Sequence, residues 1–200
     1  MTNTLHTSIR TAIVAIAVLA GAGSSVLVRA NASTVSSTFE PRTTLQGVPL
    51  QLNGAGTRYK AFFRLYDMAL YTPAKVTTPE ALLTQPGPKR LSFVALRELP
   101  GTDLGLAFIK GLSSNSPPDL VQKHTASSTR LIEIFSGKAK LNSGDTFAME
   151  YLPGKGTVFY IQGQSQGAPV GDAEFFNMVL KIWVGSSPAD FKLKDALLGV

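Results

Sequence analysis

The stretch NGAGTRYKAFFRLYDMALYT, Asn53 to Thr72, decides how this chain is read. A glycine-rich segment runs straight into Arg58 and then into a long aromatic and apolar run. Asn53-Gly54 is a hairpin signal, since both residues tolerate positive φ. The residues from Arg58 to Thr72 read as one long strand. On an ideal strand Arg58, Lys60, Phe62, Arg64, Tyr66 and Met68 share a face, and a β-bulge after the glycines would break that parity. Arg58 beside a buried strand needs an acidic partner, because an unpaired buried charge costs several kcal/mol. That partner is either a protein carboxylate, such as Asp67 or a glutamate, or a ligand oxygen, which a guanidinium grips at two points.

Outward from this stretch, strand and helix signals alternate. Upstream, Val48, Leu50 and Leu52 alternate as in a half-buried strand. Downstream, Thr78-Pro79-Glu80 opens a short helix, and KRLSFVALRE is a strand. Leu104, Phe108 and Leu112 mark a helix, and a second starts after Pro117-Pro118, with a break expected near Ser127-Ser128. DTFAMEYLPGKGTVFYIQGQ is a hairpin about PGKG. Phe175, Val179 and Trp183 mark a helix ending at Gly185, and SPADFKLKDALLG gives a last short one. Strands that arrive as hairpins among helices indicate an α+β fold, an antiparallel β-sheet backed by a layer of helices.

Residues 1–32 carry Arg10, no acid, and a run of small apolar residues, followed by VRA and ANA cleavage signals. They read as a secretory signal peptide rather than a membrane anchor, placing the protein in the periplasm or outside the cell. Residues 33–44 are polar and read as a linker or a loose first strand, and 45–200 as the folded domain. Removing the two arginines of the signal leaves 17 basic against 13 acidic residues, or +4. With no dense basic cluster, nucleic acid is excluded as a partner, and no membrane contact is expected once the signal is gone. There are no cysteines, hence no disulfide and no thiolate nucleophile.

Catalytic templates fail. His124 is the one histidine after residue 32; it sits in a polar stretch and reads as a solvated helix residue. No His/Cys/carboxylate cluster with metal spacing is present. There is no G-x-S-x-G elbow, no P-loop and no dinucleotide fingerprint. Glu98 and Glu150 lie on separate strands. No cofactor is implied.

At LNGAGTRYKAFFRLYDMALYT the sequence resembles the chalcone isomerase-like proteins. The plant enzymes have a similar Gly-Ala-Gly-x-Arg segment and a strand ending like MALY. Bacterial exported members resemble YKAFFRLYDMALY, KRLSFVALRE and KIWVGSSPADFKLKDALLG more closely still, so the likeness runs from Leu45 to Val200. It implies an antiparallel sheet backed by helices, with a ligand cleft between. The enzymes' arginine matches Arg58, and their threonine falls at or near Tyr66. Their tyrosine–lysine–asparagine set falls at Leu104, Ala107 and Gly111, which are unsuited to those roles; Lys110 and Asn115 are out of register.

Non-catalytic relatives bind fatty acids through the matching arginine, assisted by a tyrosine. The favoured expectation is therefore a non-catalytic binder of a small acidic, apolar ligand such as a fatty acid. Arg58 would be the anion clamp and Tyr66 a hydrogen-bond donor, with Phe62, Phe63, Phe108 and Met149 available to line a cleft. Trp183 reads as a helix-to-sheet packing residue. Two alternatives stand beside it. One is an isomerase of the intramolecular lyase type, with Arg58 stabilising an oxyanion and Tyr66 or Lys110 as acid. The other is a structural or partner-binding domain whose cleft is filled.

Overall fold

The alternation at Val48, Leu50 and Leu52 belongs to a strand that does not stop at Asn53. In the computed structural model, which describes residues 35–200, β1 (Arg42–Leu45) turns at Gln46-Gly47, both at positive φ, into β2 (Val48–Lys60). β2 continues to a turn at Ala61 (φ 54°) and returns as β3 (Phe63–Thr72). Two expectations are corrected here. Asn53-Gly54 is not a turn, and the single strand from Arg58 to Thr72 is two strands folded back on each other.

The chain goes on through α1 (Pro79–Thr84), β4 (Lys89–Ala95), β5 (Leu99–Pro100), α2 (Gly101–Ser114), α3 (Pro118–Lys123) and α4 (Thr125–Ser136). It ends with β6 (Lys140–Leu141), β7 (Thr146–Leu152), β8 (Gly156–Ile161), β9 (Gln164–Ser165), α5 (Ala173–Val184) and α6 (Phe191–Leu198). Seven strands form one antiparallel sheet in the order β1-β2-β3-β4-β7-β8-β9, and β5 pairs with β6 apart from it. The α+β architecture read from the sequence is the one observed. Thr78 caps α1 through the Ala81 amide, 3.2 Å. The helix after Pro117-Pro118 breaks at His124, not at Ser127-Ser128.

Parity along β3 sorts the two faces of the sheet. Tyr66, Met68 and Leu70 join the large apolar cluster with all the helices except α3, whose Leu120 and Val121 pack at its margin. Ala69 and Tyr71 face the other way, into a small cluster with Leu45, Leu50, Leu152 and Val158. β3 is thus buried on both faces, which explains its unbroken apolar run. The expected signal peptide lies outside the described residues. The described part of the expected linker is tied down: Phe39 packs on the outer cluster, the Glu40 carbonyl accepts from the Tyr71 hydroxyl at 3.0 Å, and β1 begins at Arg42. Asp67 anchors this segment. Its carboxylate accepts from the Ser36 and Ser37 amides (3.0 and 2.8 Å) and from Thr57 Oγ1 (2.5 Å). Burial works to raise the Asp67 pKa, but these hydrogen bonds outweigh it and hold the carboxyl below its ordinary value.

The glycines of the opening stretch serve close packing. A Cβ on Gly54 would lie 2.1 Å from the Ala196 carbonyl oxygen, and one on Gly56 2.7 Å from the Ala196 Cβ. α6 therefore lies directly on the β2 backbone. Asn53, buried between them, donates to the Leu197 carbonyl (2.8 Å) and the Val76 carbonyl (2.9 Å) and accepts from the Val76 amide (2.8 Å). Gly54→Ala is expected to lower unfolding stability by about 3 kcal/mol, because backbone cannot move aside as a side chain can; urea denaturation measures it.

Lys89, at the start of β4, is buried without an acidic partner among the described residues. Its ammonium donates to the Gln85 carbonyl at 2.6 Å and lies 5.9 Å from the centre of the Tyr151 ring. Burial pushes its pKa down to about 8. The folded state then holds fewer protons than the unfolded state between pH 8 and the ordinary lysine pKa, so stability rises with pH across that window. The rise should reach about 3 kcal/mol at most. Lys89→Met should flatten it, as read by thermal unfolding at successive pH values.

Candidate functional site

Arg58 and Tyr66, picked out separately in the sequence, are register partners across the β2–β3 hairpin. Cross-strand partners project from the same face, here the helix-covered one. A bulge lies directly after Arg58, between it and Tyr59. It shifts the register of the ladder, which continues through Tyr59–Arg64 and Lys60–Phe63 to the turn.

The acidic partner of Arg58 is Asp190, neither Asp67 nor a glutamate. Arg58 Nη1 stands 3.6 Å from Asp190 Oδ2, with side chains 20% and 12% exposed. Nη1 also donates to the Tyr59 carbonyl. Asp190 is the N-cap of α6: Oδ1 accepts from the Lys192 and Leu193 amides at 2.9 and 3.3 Å, while Oδ2 accepts from the Tyr59 amide at 2.9 Å. The carboxylate is thus held by three backbone N–H groups, and the guanidinium contact is the longest of its interactions. SPAD before the last helix could have identified Asp190 as a cap. Nothing in the sequence could have paired it with a hairpin 131 residues away.

Tyr66 is buried, and its hydroxyl oxygen accepts from Trp183 Nε1 at 2.8 Å. No described residue accepts the hydroxyl proton in return. Burial pushes the phenol above its ordinary pKa, against the pull of Trp183 and the nearby Arg58 charge. Tyr66 is therefore a neutral donor throughout the physiological range. Around it the interior is occupied by rings. Phe93 and Phe147 stack at 4.1 Å, Tyr66 meets both edge-on, and Trp183 lies 5.2 Å from Phe93 and 6.1 Å from Phe108. Two depressions of about 190 and 340 Å³ lie elsewhere, one beside Phe39 and Tyr71, the other beside Tyr151 and Asp172.

The other candidates are dispersed. Phe108 and Met149 are core, whereas Phe62 and Phe63 are exposed and line no cleft. Leu104 is buried, Ala107 is exposed, and a Cβ on Gly111 would lie 2.8 Å from Ile182 Cγ2, so no larger side chain fits there. Lys110 faces solvent. Asn115 uses its amide to bind the Gly111 and Ser187 carbonyls, both 2.9 Å. Glu150 pairs with Arg90 at 2.7 Å and Glu98 with Lys140 at 2.6 Å.

His124 overturns its expectation. It is buried, and Nε2 lies 2.8 Å from Glu174 Oε2. Tertiary structure also gathers Asp172, so three potential metal donors lie within 4.8 Å of one another, a cluster the sequence did not reveal. One oxygen of each carboxylate is already engaged. Lys123 Nζ sits 2.5 Å from the same Glu174 oxygen, and Asp172 Oδ1 caps α5 through the Phe175 amide at 2.9 Å. The group ties the α3–α4 junction to α5, and the Lys123 ammonium already supplies a positive charge beside Glu174.

Tyr66→Phe would strand the Trp183 indole N–H in an apolar interior. The expected cost is about 1–3 kcal/mol. Trp183 is the single tryptophan, so its emission reports the change directly. Adding Trp183→Phe to Tyr66→Phe should cost less than the sum of the two changes made alone.

Comparison with known proteins agrees with this architecture. The crystal structure of the Arabidopsis thaliana fatty-acid binding protein AtFAP1 superposes with a TM-score of 0.60 at 14% identity, over 82% of this chain and 90% of that one. At that identity the likeness is one of fold. No curated protein sequence matches the chain. The profile of the chalcone isomerase-like family matches residues 32–199. With the match running through the hairpin, the helices behind it and the closing α6, the chain belongs to the chalcone isomerase-like family.

Proposed function

We propose that this domain is a non-catalytic binder of a small amphipathic ligand with an acidic head, of the fatty-acid type, acting outside the cytoplasm. The observation that carries this reading is the pairing of Arg58 with Tyr66. A partly exposed guanidinium is the cross-strand partner of a buried phenol whose proton has no described acceptor. A carboxylate can take a charged hydrogen bond from one and a neutral one from the other. Asp190 holds the guanidinium. It does so at 3.6 Å while its oxygens remain satisfied by backbone amides. An incoming carboxylate can therefore take Arg58 without leaving Asp190 bare. The fatty-acid-binding protein of similar fold supports the ligand class. The export segment read in residues 1–32 supports the location.

Isomerase chemistry is disfavoured. The positions matching the enzymes' helix set are Leu104, Ala107 and Gly111, and Tyr66 is shifted away from easy proton release. A second reading, a domain whose cleft is permanently filled, draws on the stacked rings around Tyr66 and on the Arg58–Asp190 pair.

The two readings part in a binding measurement on the Asn31–Val200 unit. Long-chain fatty acid should bind the wild type, and Arg58→Ala should weaken it about 10- to 100-fold, the worth of a charged hydrogen bond. Asp190→Asn keeps an oxygen for the α6 cap but frees the guanidinium, so affinity should rise several-fold. Titration calorimetry and mass spectrometry of co-purified lipid read both. An empty wild type, with both variants altering stability alone, would establish the filled cleft.

A further inference from the structure

The turn joining β2 to β3 presents its aromatic side chains outward. Phe62 is 81% exposed and Phe63 48% exposed, with ring centres 4.4 Å apart. Single exposed apolar residues are ordinary on a protein surface, but paired phenylalanines at a hairpin tip mark a contact site.

The charge around them has one sign. Lys60 precedes the turn and is exposed, and the Arg97 guanidinium lies over the Phe63 ring at 4.7 Å. Neither has an ion-pair partner among the described residues. The carboxylates nearest in sequence, and the one that contacts the hairpin, already have partners. Asp190 holds the Tyr59 amide and Arg58, Glu98 pairs with Lys140, and Asp67 is buried on the outer face. Phe191, 65% exposed, follows Asp190 and is followed by Lys192, so a third phenylalanine and a further base stand near this end of the hairpin.

We propose that the β2–β3 tip docks on an anionic lipid bilayer. Aromatic rings settle at the boundary between headgroups and acyl chains, and lysine and arginine near an anionic surface each add attraction. The tip supplies both terms: the exposed Phe62–Phe63 pair, and beside it Lys60 and Arg97, which have no ion-pair partner among the described residues. A second copy of this chain is a poorer partner, because its own tip carries the same charge. The sequence-based expectation of no membrane contact rested on bases spread thinly along the chain; the fold gathers Lys60 and Arg97 about one aromatic pair. Docking rests on the tip alone and not on the ligand reading. If both hold, docking brings Arg58, on the same hairpin, to the surface where amphipathic carboxylates partition.

The test is co-sedimentation of the Asn31–Val200 unit, which carries both apolar clusters, with vesicles of phosphatidylcholine alone and of phosphatidylcholine mixed with phosphatidylglycerol. Binding to the mixed vesicles should be about tenfold tighter and should fall at high salt. Phe62→Ser/Phe63→Ser and Lys60→Glu/Arg97→Glu should each reduce it about tenfold or more, with circular dichroism and thermal unfolding unchanged because all four side chains are at the surface. Binding that is absent, equal on both vesicle types, or indifferent to both double variants overturns the proposal. So does a self-associating protein that Phe62→Ser/Phe63→Ser renders monomeric in light scattering while vesicles fail to bind.

Discussion

The close approach of α6 to β2 sets the geometry of everything near the candidate site. Two glycines without Cβ atoms let the carbonyls of Ala196 and Leu197 come to where a side chain would stand, and Asn53 fastens the contact from within. Once α6 is seated, its N-terminus must fall at the Arg58 end of β2. The Asp190 carboxylate then meets the Tyr59 amide and the Arg58 guanidinium together. A larger residue at Gly54 would lift the helix and with it the only described carboxylate in contact with Arg58. The Gly-Ala-Gly-x-Arg segment is therefore one device: the glycines seat the helix that supplies the acid that holds the arginine.

The second constraint is the filling of the inner face. Tyr66 could be an ordinary core ring, since Phe93, Phe147 and Trp183 pack around it as in any aromatic core. Its hydroxyl makes the difference. The Trp183 indole gives it one hydrogen bond, burial keeps it protonated, and no described residue accepts its own proton. A filled core and the polar pair with Arg58 thus share one residue. Among the described residues the rings leave no open channel beside Tyr66, so its surroundings are those of a packed core.

The same hairpin passes through three environments of decreasing depth. Its base is sealed by α6, its middle holds Arg58 opposite Tyr66, and its tip shows Phe62 and Phe63 to solvent. Alternation along a single strand would have placed Phe62 and Tyr66 on one face. The turn at Ala61 separates them, so one aromatic is core and the other is surface.

The sequence by itself determined the α+β class, most of the helices, the Thr78 cap of the first and the PGKG hairpin, and it brought Arg58 and Tyr66 forward as candidates. It could do so because caps, turns and hydrophobic periods are local, and because the family resemblance covers the entire domain. It misplaced the turn at Asn53-Gly54, since glycines that permit positive φ and glycines that permit close packing are the same letter. It made His124 a solvated residue, because burial by Glu174 and Phe175 comes from a helix 50 residues away. Tertiary structure alone decided that Arg58 is held by Asp190, that Tyr66 receives the Trp183 indole, and that Phe62 is outside. Each of these depends on which distant backbone lies against which face, and that is settled by packing rather than by any local pattern.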